Sequence, residues 1–142
     1  MSNLFDGKKI DLVKFANFPK CKDTFRDENG SGCLFTALWS SMGFTTEGLR
    51  SGLVFVDPIL PGRFDAIAMW DEFDSFVKES YPDLMPARKG FGFVNAVISR
   101  YDDGDQVEAL NILWTLIERL PKVSYAEKED VINSLPCRVA GK

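Results

Sequence analysis

The sequence predicts a mainly α protein, a compact single-domain helical bundle with one short β element near residues 53–56. Three observations lead there. Four segments of the second half carry apolar residues at helical spacing. The links between them, Pro82 to Gly90 and Asp102 to Gly104, are short enough to favour antiparallel neighbours. Only Leu53 to Val56, "LVFV", reads as a strand or a buried connector, bounded by Pro58 and the Pro61–Gly62 turn. A chain of 142 residues fits one domain, and its 12 phenylalanines and 3 tryptophans supply large burial without disulfides.

Residues 1–62 form the irregular N-terminal half of that domain, and residues 63–136 the helical C-terminal half. In the first, "IDLVKFANFP" gives a short helix stopped before Pro19. "GCLFTALWSSMG" places Leu34, Phe35, Leu38 and Met42 on one helical face, with Ser31 as the expected N-cap and Gly43 closing it. In the second half, Met69, Trp70, Phe73, Phe76 and Val77 fall at i, i+1, i+4, i+7 and i+8, with Asp71, Glu72, Asp74 and Lys78 opposite. "GFGFVNAVISRY" repeats the pattern with Val94, Val97, Ile98 and Tyr101, and Gly90 and Gly92 relax its start. "DQVEALNILWTLIERLP" is the strongest helix. Asp105 and Glu108 have capping-box spacing, Leu110, Leu113, Trp114, Ile117 and Leu120 form its buried stripe, and Pro121 stops it. Ser124 and Glu127 repeat the Ser-x-x-Glu spacing before Val131, Ile132 and Leu135.

A net charge of −4 and a pI near 4.9 argue against nucleic acid as a direct ligand, because Lys8–Lys9 and Arg88–Lys89 are only short basic patches. No stretch approaches a membrane span, and no leader-like apolar run opens the chain. The odd set Cys21, Cys33 and Cys137 suits thiols in a reducing, cytoplasmic setting better than a disulfide framework.

The segment "NGSGCLFTALW" resembles the nucleophile region of ovarian-tumour-type deubiquitinases, whose pattern is Asp-Gly-x-Cys-Leu-Phe with a small residue two positions on. Cys33, Leu34, Phe35 and Ala37 match it, while Gly30 stands where the family has its aspartate. The resemblance implies a thiol nucleophile at Cys33. Such a nucleophile needs a histidine to take its proton, and the chain contains none. The residues therefore read as packing, with an atypical Cys33 hydrolase as the alternative.

Other chemistry is weaker. The thiols lack metal-ligand spacing, and Asp102, Asp103, Asp105 and Glu108 lack the alternating ligands of a calcium loop. "KGFGF" has neither the P-loop nor the dinucleotide pattern. No metal, cofactor or catalytic residue is expected. Trp39 and Phe44 lie near a helix end, where core is the default and an exposed interface anchor the alternative.

In size, acidity, aromatic content and lack of a catalytic motif, the chain resembles small bacterial immunity proteins of contact-dependent and related polymorphic toxin systems. "MWDEFDSFVKESYPDL" and "YDDGDQVEALNILWTLIERL" are similar in pattern to helical domains of that class. The resemblance implies a non-catalytic cytoplasmic inhibitor that occludes a cognate protein toxin. Acidic groups would steer it to a basic partner. The expected contacts are Asp71, Glu72, Asp74, Asp102, Asp103, Asp105 and Trp39. A phage-encoded anti-defence inhibitor has the same features.

Overall fold

A computed structural model describes residues 4–21, 30–48, 52–57, 59, 62–86 and 92–136. Cys137, the Arg88–Lys89 pair, Gly90, Pro58 and Pro61 lie outside the described residues.

The chain opens with strand β1 (Ile10–Asp11) running directly into helix α1 (Leu12–Asn17). Asp11 caps α1 by accepting a hydrogen bond from Lys14 N at 3.1 Å. The helix ends because Phe18 precedes Pro19 and takes extended angles (φ −68°, ψ 127°). Helix α2 (Leu34–Ser41) is buried on every side, and its N-cap is Cys33 rather than the expected Ser31.

Strands β2 (Thr45–Glu47), β3 (Val54–Val56) and β4 (Arg63–Asp65) form an antiparallel sheet in the order β2-β3-β4. The expected single β element is thus the middle strand of three. The flanking strands are not among the expected elements because, at three residues each, they are too short to show a period.

Helix α3 (Ala66–Ser80) is capped by Asp65, which accepts from Ala68 N at 2.8 Å, and stops at Tyr81 before Pro82. A single 3₁₀ turn (Pro82–Leu84) follows. Helices α4 (Phe93–Asp102) and α5 (Gln106–Ile117) are joined by Gly104, whose φ of 98° only glycine adopts without strain. Strand β5 (Lys122–Ser124) then pairs in parallel with β1, and α6 (Lys128–Ile132) closes the described chain. The expected Ser124–Glu127 cap is replaced by a capping box that begins at Glu127 itself, between Glu127 and Asp130.

The result is a compact, mainly helical single domain with a few short strands. α4 packs against α5, α3 against α4, and α1 against α2 and α6. At the centre sits an aromatic cluster around Phe73. Its ring meets Phe5 edge-on at 4.9 Å, Phe35 at 5.8 Å and Trp39 at 5.9 Å between centroids. Edge-to-face pairs of this kind add to the burial of the rings themselves. The helical stripes of the second half all reach this core: Met69, Val97, Leu113 and Val131 are fully buried.

The N-terminal segment is held to the sheet by Lys8, whose Nζ sits 3.1 Å from both carboxylate oxygens of Asp57. Both side chains are nearly out of solvent and the ammonium also lies over the Phe44 ring. This pair has low exposure and two contacts per partner, so loss of either partner would strand a buried charge.

Candidate protein-binding surface

The expected contact residues are not one patch. Asp74 lies at the start of α4, where its Oδ1 accepts from Val94 N at 2.9 Å. Asp102 and Asp103 lie at the far end of the same 10-residue helix, about 15 Å away at the rise of an α-helix. Asp71, Asp103 and Asp105 are exposed, while Glu72, Asp74 and Asp102 are half-buried. Asp74 is therefore corrected from a surface charge to an internal cap, and burial raises its carboxyl above the usual range. Asp105 begins α5 without a side-chain cap, so the expected capping box with Glu108 does not form.

Trp39 is corrected too. It is fully buried, with its ring 5.3 Å from Phe55 and 5.5 Å from Phe35, and Phe44 is buried beside Phe5. Neither is an exposed anchor.

The Cys33 thiol is 2 % exposed and faces its own helix. Thr36 N donates to Sγ at 3.5 Å, and Thr36 Oγ1 lies 3.6 Å away. Burial pushes the thiol upward despite these hydrogen bonds, and the Asp102 charge adds to the rise. A helix N-terminus alone would favour thiolate, but here desolvation outweighs it. The group is placed to cap and to pack.

What the sequence did not disclose is an apolar face around Tyr125. Val13 (45 % exposed), Val123 (67 %) and Tyr125 (66 %) are large apolar side chains left in solvent. Tyr125 stands between two clefts. One, of about 320 Å³, is lined by Val13, Ala16, Tyr125, Ala126, Asp130 and Asn133. The other, of about 300 Å³, is lined by Trp114, Ile117, Glu118, Lys122 and Tyr125.

The face is built by a short polar network. Ser124 Oγ donates to Asp11 Oδ1 at 2.5 Å and accepts from Val13 N at 3.0 Å. That clamps β5 to the start of α1 and leaves Val123, one residue earlier, pointing outward as strand alternation requires. The Ser124 hydroxyl, followed by the Lys14 amide, holds the Asp11 carboxyl below its ordinary range.

The rim is acidic. Glu118 and Asp130 each line one of the clefts and are exposed, as are Glu127 and Glu129 just before Asp130 in the chain. Lys122 folds its ammonium onto the carbonyls of Glu118 (3.3 Å) and Leu120 (2.9 Å) at the end of α5, and Lys128 reaches Asn111 at 2.9 Å. These two ammonium groups thus serve the protein's own acceptors, while Lys14, next to Val13 in the chain, is exposed. One signal for this face was present: Val123 and Tyr125 alternate directly after the helix-stopping Pro121, a strand period rather than a helical one.

Among the described residues, no helix is long and apolar enough to cross a membrane, and no three His, Cys, Asp or Glu side chains are grouped to hold a metal ion. Compared with protein-family models, with curated proteins and with solved structures, the chain matches none.

Proposed function

We propose that this protein is a non-catalytic binding protein that inhibits a basic protein partner by covering its active surface, as small bacterial immunity proteins do. The observation that carries the reading is the Val13–Val123–Tyr125 face. It combines an exposed aromatic side chain, two flanking clefts and the carboxylates of Glu118 and Asp130 on their walls. Exposed aromatics beside clefts are typical of interface anchors, and surrounding charge selects the sign of the partner. A partner segment with one apolar side chain between lysines or arginines suits this surface. The exposed Asp103 and Asp105 would add long-range attraction without touching that segment.

The hydrolase reading is less well supported by the geometry of Cys33, whose thiol is buried, raised and turned to Thr36. The test is co-expression with the toxin domain encoded beside its gene. Wild type should protect the cell and bind the purified domain, and Tyr125→Ala combined with Val123→Ser should weaken binding at least about tenfold while remaining folded. Failure of the wild type to bind or protect against that domain overturns the proposal.

A further inference from the structure

The geometry points to Cys21 and Cys33 as a redox pair that closes, under oxidation, into a disulfide enclosing residues 22–32. The segments that carry them are laid side by side. Gly32 N donates to Pro19 O at 2.9 Å, and Cys21 N donates to Gly32 O at 2.7 Å. These two bonds make a parallel bridge with Lys20 opposite Gly32. One residue further on, Cys21 stands opposite Cys33, which is still extended (φ −69°, ψ 177°) before α2 begins.

Paired strands lie about 4.8 Å apart, inside the range of about 4.4–6.8 Å that a disulfide requires between Cα atoms. Residues at the same register position of parallel strands also project to the same face. The Cys21 thiol leans across the bridge, donating to Ser31 O at 3.4 Å. Tyr101 ties the arrangement to α4 by donating to Cys21 O at 2.7 Å. These contacts hold the backbones of Cys21 and Cys33 side by side, and closure requires each sulfur to turn from its present partner, Ser31 O or Thr36, toward the other.

The two thiols are not equivalent. Cys21 is 9 % exposed and Cys33 only 2 %. With a small-molecule disulfide such as glutathione disulfide as the oxidant, the Cys21 thiolate attacks one sulfur and releases one glutathione thiolate. The product is a mixed disulfide at Cys21. Cys33 then loses its proton to solvent and its sulfur attacks that of Cys21, expelling the second glutathione. The protein gives up two electrons and two protons, and the oxidant becomes two thiols. In the closed form Cys33 Sγ exchanges its capping contact with Thr36 for a covalent link to the preceding strand. The same residues that look like a nucleophile motif thereby acquire a redox role that requires no histidine.

The test is equilibration of the full folded chain in glutathione redox buffers, then acid quench, alkylation and tryptic mapping without reduction. Cleavage after Lys20, Lys22, Arg26 and Arg50 should leave the dipeptide Cys21–Lys22 linked to the fragment Asp27–Arg50. Cys33→Ser should instead accumulate the mixed disulfide at Cys21, because the resolving thiol is gone. Both thiols remaining alkylatable in buffers that oxidise a free model dithiol would overturn the inference. So would Cys137, rather than Cys33, appearing as the partner of Cys21.

Discussion

Asp74 of α3 caps a helix it does not belong to: its Oδ1 accepts the hydrogen bond of Val94 N, in the first turn of α4, at 2.9 Å. The residue at the N-cap itself, Gly92, has no side chain to offer, and a Cβ there would run into the Asp74 carboxylate. The cap is therefore supplied across the helix–helix contact, and it couples the register of α3 to that of α4.

Asp74→Ala should cost about 1–2 kcal/mol, the worth of a lost cap. Asp74→Asn keeps an acceptor for Val94 N and removes a charge that burial disfavours, so it should cost far less at neutral pH. Urea denaturation of the two variants checks this, and equal losses would show that the acceptor is not what matters. The sign of the pH effect is also defined. A carboxyl raised on folding favours the native state at low pH, and that contribution falls away as pH rises through its folded pKa. Asp74→Asn should lack this component.

Trp39→Ala should destabilise the protein by about 3–5 kcal/mol, since it empties the space between Phe35, Phe55 and Phe73. Trp39→Phe should cost only about 1 kcal/mol. Among the described residues the buried indole Nε1 has no hydrogen-bond acceptor, so no bond is lost with it. Partner affinity per folded molecule should be unchanged in Trp39→Phe, which direct titration reads. A large loss of affinity would return Trp39 to the interface.

Lys20 predicts an alkaline gain in stability. Its ammonium is buried against the carbonyls of Phe15 (2.5 Å) and Phe18 (2.9 Å) and above the Phe15 ring, and burial lowers its pKa from 10.5 to about 7. Between those values the unfolded chain holds a proton that the folded chain has released. Stability should therefore rise with pH across that window, by up to about 1.4 kcal/mol per unit from this residue. Comparing wild type with Lys20→Met isolates it, because other titrating groups are common to both. Parallel stability–pH curves would refute the assignment.

Asp103→Lys with Asp105→Lys should slow association with a basic partner on the order of tenfold at low salt and flatten its salt dependence. Dissociation should barely change, because these exposed groups lie in the α4–α5 connection and not among the residues lining the Tyr125 clefts. Stopped-flow mixing at several ionic strengths separates the two rates. An unaltered association rate would remove them from the steering field.

The sequence alone determined the helices, their buried stripes and the single domain. Met69, Phe73 and Val77, or Leu110, Leu113 and Ile117, announce their face through spacing along the chain, a local property that survives in any fold that buries them. It also determined where α1 and α3 stop, because proline restricts the residue before it whatever lies nearby. Tertiary structure decided the rest. Whether an aspartate is a surface charge or a cap for another helix, as with Asp71 and Asp74, depends on what packs above it. Strands of two or three residues such as β1 and β5 exist only because a distant partner completes their hydrogen bonds. The exposure of Tyr125 and the burial of Trp39 are likewise products of three-dimensional neighbours, since an aromatic side chain carries the same local pattern in a core and at an interface.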